Sequence, residues 1–182
     1  MRFIWRKCIA VWNFVSLILY MMPYQNKPRS LTLELICSLL ILLFLYTGLA
    51  KALNFEGFKL DMYNQVFPRS MASFLIYTLP YFEIVIAASL LFEKTRNFGL
   101  YSSVILMILF TAYTSVVLLH FFKRIPCSCG GVIRALSWPQ HLIFNLFFMG
   151  VSITGIILQK RKFRKNLSDK SFMHESGITE NL

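Results

Sequence analysis

Two cysteines one residue apart are the side chains of this chain best suited to redox chemistry. Cys127 and Cys129 lie in the sequence PCSCGG at residues 126–131, between two long apolar runs. Outside the cytoplasm, where thiols are oxidised, such a pair forms a disulfide or a dithiol that cycles. A ring closed by so few atoms is strained, and strained, exposed disulfides exchange readily. We therefore predict that Cys127 and Cys129 are a redox pair.

Two other interpretations of the cysteine pair stay open. One is a static bridge, or a pair of idle thiols, that only shapes its loop. The other is a metal site, but soft-metal sites usually need four ligands, or three and an open position. Only His141 lies nearby as an obvious third ligand, so we expect no metal.

One carboxylate interrupts an apolar run. Glu83 stands at the centre of Phe74–Phe92, where an ionised carboxylate costs roughly 2.5 to 3.5 kcal/mol and needs a partner. Lys51, at the end of the preceding run, lies within about two helical turns of it in depth, and we predict that the two pair. Pro80 is expected to bend the helix beside the carboxylate. The alternatives are an ion pair that only locks helix packing and a neutral, protonated Glu83.

The last apolar run opens with three polar or aromatic residues on one predicted helix face. Trp138, His141 and Asn145 follow the spacing i, i+3, i+7. An imidazole can assist thiolate formation or transfer a proton, and this is the role that we predict for His141. As alternatives, Trp138 is an interfacial belt residue, and His141 and Asn145 are hydrogen-bonding links between helices.

The elements that must position these residues are membrane helices. The chain has 182 residues, of which 57% are hydrophobic and 15% charged, a composition that excludes a soluble globular protein. Four apolar runs have the roughly 20-residue length that about 30 Å of hydrocarbon requires. They are Leu31–Leu53, Phe74–Phe92, Leu100–Phe122 and Trp138–Leu158. We predict an all-α membrane protein, an antiparallel four-helix transmembrane bundle, with an additional N-terminal hydrophobic helix.

The chain divides into three predicted parts. Residues 1–30 are a basic and hydrophobic segment, interpreted as an interfacial helix or an uncleaved signal-like segment, with cleavage as the alternative. Residues 31–158 form the four-helix membrane domain, with a first loop of about twenty residues, Asn54–Ser73, between short connections. Residues 159–182 are a basic tail that we expect to be disordered and cytoplasmic.

The formal net charge of +11 does not indicate nucleic-acid binding, because no folded basic face is available to hold a groove. Most of the 19 Lys and Arg residues stand at the N-terminus, near Lys94 and Arg96, and in the C-terminal tail. Lys and Arg are retained on the cytoplasmic side of short loops. Both termini are therefore predicted to be cytoplasmic, and the loop with the cysteine pair extracytoplasmic.

Four blocks of this sequence resemble the methylamine utilisation protein MauE family, within the wider DoxX-like membrane proteins. The blocks are Tyr46–Lys51, Leu79–Glu83, Cys127–Gly131 and Leu136–Leu142. They occur in the family's order and cover about residues 31–158. Lys51, Glu83, Cys127 and Cys129 are the positions that match the family pattern, whereas the face at Trp138 comes from helical spacing alone.

The resemblance implies a four-helix protein of the bacterial inner membrane that supports disulfide formation or maturation of exported proteins, often with a thioredoxin-like extracytoplasmic partner. The family's named role is maturation of a methylamine dehydrogenase subunit, and nothing in this sequence indicates methylamine metabolism. Other four-helix membrane oxidases pair thiols with quinone, so a quinone near Glu83, Lys51 and His141 is a candidate electron acceptor. The alternatives are a non-catalytic membrane anchor or assembly factor, and a small proton-coupled carrier that depends on Glu83 alone.

Overall fold

The structure is a computed structural model that describes residues 31–66, 68–119 and 137–179, and these residues form five helices. The helices are α1 (Leu31–Leu53), α2 (Phe55–Tyr63), α3 (Arg69–Leu91), α4 (Arg96–Leu118) and α5 (Trp138–Thr179). The predicted N-terminal hydrophobic helix within residues 1–30 and the Cys127 and Cys129 pair lie outside the described residues.

Four of the described helices, α1, α3, α4 and α5, are long and apolar enough to cross a membrane. Consecutive long helices pack side by side, and α5 also packs against α1, so the four helices close into a ring. Each adjacent pair is antiparallel because the connections between them are short. The predicted all-α membrane bundle with four spans is confirmed.

The interior of the bundle is filled by apolar side chains from all four long helices, among them Phe44, Leu90, Leu100 and Phe148. Lipid tails are as apolar as these side chains, so packing and close backbone approach hold membrane helices together. At Gly155 an added methyl group would lie 2.8 Å from Leu100 Cδ2 and 3.1 Å from Ile36 Cγ2. A side chain at this position would therefore have to displace the ends of the Leu100 and Ile36 side chains between α5, α4 and α1.

The first connection contains a helix that the sequence analysis did not predict. Residues 54–73 were expected to form a loop, but α2 occupies Phe55–Tyr63, and α3 begins at Arg69 rather than at Phe74. Phe58 and Met62 of α2 are buried with Ala72 and Ile76 of α3. The first turns of α3 are helical because this short helix covers them.

The last helix is also longer than the predicted span. The sequence analysis predicted disorder from residue 159, whereas α5 continues to Thr179. Residues 159–176 contain no Gly or Pro, and extending an existing helix with Lys, Arg and Gln needs no new nucleus. The 42 residues of α5 extend about 63 Å at 1.5 Å per residue, about twice the hydrocarbon thickness, so α5 projects beyond the bilayer.

Candidate functional site

A cavity of about 140 Å³ lies inside the bundle and is lined by α1, α3, α4 and α5. It lies towards the end of the bundle at which α4 ends and α5 begins, which we name the cysteine end because residues 120–136 connect the two helices there. The lining includes all five residues that were predicted to support the redox pair: Lys51, Glu83, Trp138, His141 and Asn145. The fold thus brings residues of three helices to one site.

Lys51 and Glu83 form a buried ion pair at the polar side of this cavity. The Lys51 Nζ donates to Glu83 Oε1 at 2.7 Å and to Oε2 at 2.8 Å. A third, longer contact joins Nζ to the carbonyl oxygen of Thr47 at 3.4 Å. Lys51 is 8% exposed and Glu83 1% exposed. The predicted pairing is present, and it neutralises both charges inside the bundle.

The approach of α1 to α3 at the ion pair depends on Gly48, one turn before Lys51. A methyl group at Gly48 would lie 3.0 Å from Ile84 Cγ1, 3.2 Å from the Pro80 carbonyl oxygen and 3.3 Å from Glu83 Cβ. Pro80 lies inside α3 and removes one hydrogen bond from that helix. The absence of a side chain at Gly48 thus sets the backbone separation at which Lys51 reaches Glu83.

Trp138, His141 and Asn145 present one face of α5 to the cavity, as their spacing predicted. The centroids of the Trp138 and His141 rings are 6.4 Å apart. The Nε2 atom of His141 is buried. The Asn145 amide nitrogen donates to Thr114 Oγ1 of α4 at 3.4 Å. Tyr113 of α4 packs edge-on against Trp138 at 6.3 Å. The face therefore joins α5 to α4 at the cavity wall.

The connection between α1 and α3 covers the cavity residues from the cysteine end. The Phe58 ring of α2 lies 6.0 Å from Lys51 Nζ, within reach of a cation–π interaction. The buried side chain of Gln65 accepts a hydrogen bond from the Tyr113 hydroxyl at 2.5 Å. The sequence analysis missed both residues. Apolar residues at Phe55, Phe58 and Met62 were the signal for α2, whereas Gln65 follows no pattern.

The two cysteines of the predicted redox pair can be related to the site only through the residues that flank them in the chain. Cys127 and Cys129 lie outside the described residues, between Leu118 at the end of α4 and Trp138 at the start of α5. Trp138 lines the cavity, and so does Thr114, one turn before the end of α4. The segment with the two cysteines therefore leaves and re-enters the bundle beside the cavity.

A second ion pair, partly buried, lies at the opposite end of the bundle and was not predicted from the sequence. Arg96, in the first turn of α4, donates to both carboxylate oxygens of Glu34 at 3.0 and 3.3 Å. Arg96 is 3% exposed. Cys37, one turn after Glu34, is a buried free thiol. This pair joins α1 to α4.

The chemistry available at the cavity is that of a neutral, partly aromatic site. Within the described part of the chain, no cluster of three or more His, Cys, Asp or Glu could hold a metal ion. The one lysine of the lining is neutralised by Glu83. What remains is a set of aromatic walls and hydrogen-bonding groups on Asn145, His141 and Thr47. Such a site suits an uncharged ligand and short proton transfers.

The chain is similar to one known family. A sequence profile described as methylamine utilisation protein MauE matches residues 29–158. The match begins just before α1, ends within α5, and includes every cavity residue named above as well as Cys127 and Cys129. No curated protein and no solved structure shows a significant match to the chain.

Proposed function

Because the chain belongs to the methylamine utilisation protein MauE family, we propose that this multi-pass membrane protein exchanges disulfides with exported proteins through Cys127 and Cys129. Its role is the formation of disulfides in those proteins, or their maturation. The immediate partner is a soluble extracytoplasmic protein with a thioredoxin-like dithiol, since exchange requires an accessible thiolate on the attacking partner.

The proposed reaction is a two-step exchange. A thiolate of the partner attacks one sulfur of the Cys127–Cys129 disulfide and forms a mixed disulfide, and the second partner thiolate then releases it. The partner leaves oxidised, and Cys127 and Cys129 are left as thiols. Turnover requires an oxidant that removes two electrons and two protons from the pair, and a membrane quinone, which becomes a quinol, has that chemistry.

The observation that carries this proposal is the position of the cavity relative to the cysteine segment. Both ends of residues 120–136 adjoin walls of a cavity that holds the Lys51–Glu83 pair and the His141 imidazole. A redox pair tethered at this point has a proton-transferring group and a buried polar site within the same end of the bundle. An anchor that only holds a partner would need neither.

The proposed location is the bacterial cytoplasmic membrane, with both termini in the cytoplasm and Cys127 and Cys129 outside. The distribution of Lys and Arg supports this orientation. A membrane-impermeant thiol reagent tests it on intact cells. We expect Cys127 and Cys129 to be labelled after a brief pulse of reductant and to become unreactive again within minutes. Labelling only after lysis would contradict the orientation.

Trapping of the mixed disulfide tests the exchange itself. Single variants Cys127→Ser and Cys129→Ser are expressed as the full chain in a background that carries Cys8→Ala and Cys37→Ala. One of the two should accumulate a mixed disulfide with a thioredoxin-like protein that reductant releases. The matched control is the double variant Cys127→Ser/Cys129→Ser, which should trap nothing. If the double variant still supports oxidation of the partner, the non-catalytic anchor is the better explanation.

A further inference from the structure

We propose that the cavity at the cysteine end binds the head-group ring of a quinone. This inference rests on the proposed function, because the reduced cysteine pair needs an electron acceptor. It goes further because it places that acceptor in the cavity between α1, α3, α4 and α5. The size, the charge and the hydrogen-bonding groups of the cavity, together with its position beside the α1–α5 interface, support a quinone ring as its ligand.

The size and walls of the cavity fit a single planar ring. Its volume is about 140 Å³, and an apolar cavity of about 150 Å³ is known to admit benzene. Phe44, Phe110, Tyr113, Trp138 and Phe144 supply aromatic walls from three helices. Aromatic rings pack against one another in stacked or edge-on arrangements that add to the gain from burial. The walls therefore favour a flat, unsaturated ligand.

The charge balance of the cavity excludes charged ligands. Among the described residues of the lining, the Lys51 ammonium group is the one basic group apart from the imidazole, and Glu83 accepts from it with both oxygens. An anion would have to displace that carboxylate, and a cation would have to displace the ammonium group. Either change leaves a charge buried in the membrane without a partner. A neutral ligand, such as a quinone, leaves the ion pair intact.

The polar groups of the cavity match the two carbonyl oxygens of a quinone. Among the described residues, the Asn145 amide makes one hydrogen bond, a long one of 3.4 Å to Thr114, so its second N–H is available to a carbonyl oxygen. The His141 imidazole lies one turn nearer the cysteine segment and can supply a donor or carry a proton. Reduction is balanced: dithiol and quinone give disulfide and quinol, with two electrons and two protons transferred.

We place the isoprenoid tail between two of the helices. Of the four interfaces between neighbouring long helices, the one between α1 and α5 is the sparsest. Both helices contribute cavity walls, Phe44 from α1 and Phe144 from α5. A tail that leaves the ring between them reaches lipid without crossing the ion pair.

Direct binding to the full chain tests this inference independently of thiol exchange. Trp5→Phe and Trp12→Phe leave Trp138, on the cavity wall, as the only tryptophan. The protein in lipid nanodiscs is titrated with ubiquinone-1 and with menadione, and quenching of tryptophan emission is followed. We expect saturable quenching by at least one of them, and the same quenching in Cys127→Ser/Cys129→Ser, because the groups proposed to hold the ring belong to the described helices.

Two variants test whether the bound quinone occupies this cavity. Asn145→Leu removes the amide donor, and Thr114→Leu adds volume to the wall, so each should weaken binding about tenfold or more. Leu146→Ala, at an exposed neighbour on the same helix, is the matched control and should bind normally. Elution as a single species shows that each variant is folded.

Two results would overturn the inference: no saturable quenching by either quinone, or equal affinity in wild type, Asn145→Leu and Thr114→Leu. Failure of the proposed function gives a different pattern. In that case quinone binds and the cavity variants weaken it, but no mixed disulfide is trapped. If the disulfide is trapped and no quinone binds, the exchange stands and the cavity assignment is wrong.

Discussion

Among the described residues, two ion pairs lie at opposite ends of the same bundle, one fully buried and one partly buried, and their surroundings differ. Lys51–Glu83 joins α1 to α3 at 2.7 Å, and Glu34–Arg96 joins α1 to α4 at 3.0 Å. The first lies beside a cavity with aromatic walls, an imidazole and an amide. The second lies in the first turns of α1 and α4, one turn from the buried Cys37.

The difference indicates what each pair does. A charged group near a helix end lies close to water and can pair with a group on a neighbouring helix. Arg96, in the first turn of α4, pairs with Glu34 of α1 in this way. Glu83 lies 14 residues into α3, where an ionised group is costly and marks a candidate functional site. Open volume beside it admits a ligand, so we assign chemistry to the cysteine end and assembly of the bundle to the opposite end.

The largest predicted effect is loss of thiol exchange when a cysteine of the redox pair is removed. Cys127→Ser or Cys129→Ser should abolish oxidation of the partner protein, because exchange needs both sulfurs. Cys37→Ala, beside the Glu34–Arg96 pair, should leave the rate unchanged. The measurement is the rate of partner oxidation in membranes, followed by thiol labelling. A comparable loss in Cys37→Ala would contradict the separation of the two ends.

The next effect concerns single breaks of the two ion pairs. Lys51→Met should lower stability by about 3 to 5 kcal/mol, because it leaves the buried Glu83 carboxylate without its partner. Arg96→Met should lower stability less, because the Glu34 carboxylate is only partly buried. The midpoint of unfolding in detergent measures both. A negligible loss in either variant would show that its carboxylate has another partner.

Double replacements distinguish the two pairs. An apolar pair of similar volume is often as stable as the buried ion pair that it replaces, so Lys51→Met/Glu83→Leu and Glu34→Leu/Arg96→Met should both regain stability. Only the first replaces residues of the cavity lining, so only the first should lower the rate of partner oxidation. Equal activity in the two double variants would make Lys51–Glu83 a structural pair and nothing more.

A smaller effect is expected from crowding the contact between α1 and α3. Gly48→Ala places a methyl group 3.2 Å from the Pro80 carbonyl oxygen and should cost about 1 to 3 kcal/mol through overpacking. Gly150→Ala is the matched control, because nothing lies within 4 Å of its added methyl group. The control should be neutral or slightly stabilising, since Ala favours a helix over Gly. Equal unfolding midpoints in the two variants would show that the close approach is unimportant.

The smallest effect belongs to an exposed ion pair beyond the opposite end. Lys162 of α5 lies 3.4 Å from Glu93, which is about half exposed. Exposed pairs contribute at most about 1 kcal/mol, so Lys162→Gln should shift the unfolding midpoint little and leave partner oxidation unchanged. Glu93→Gln should behave alike. A large loss of stability or of partner oxidation in either variant would contradict the assignment of chemistry to the cysteine end.

Much of the fold could be predicted because the bilayer simplifies the problem. About 30 Å of hydrocarbon selects apolar runs of roughly 20 residues, and these runs are the four long helices, with ends shifted by a few residues apart from the extended C-terminal end of α5. The shifted start of α3 and the existence of α2 were not predicted. Both depend on contacts such as Phe58 with Ile76, which no single run of the sequence contains.

Part of the site could be predicted for the same reason. Trp138, His141 and Asn145 share a face because 3.6 residues per turn orders side chains within one helix. Lys51 and Glu83 could be paired because a charge in hydrocarbon needs a partner at its own depth. Glu34 and Arg96 escaped prediction because charges near helix ends also have water as a partner, so the sequence did not require that contact.

The sequence by itself determined the number of spans, the helix face at Trp138 and the need for a partner at Glu83. Each follows from local periodicity or from the cost of burying a charge. Only the tertiary structure decided that these groups surround one cavity of about 140 Å³. A cavity is the space left when side chains from four helices are packed, and its volume depends on helix separations set by contacts such as that of Gly48 with Pro80.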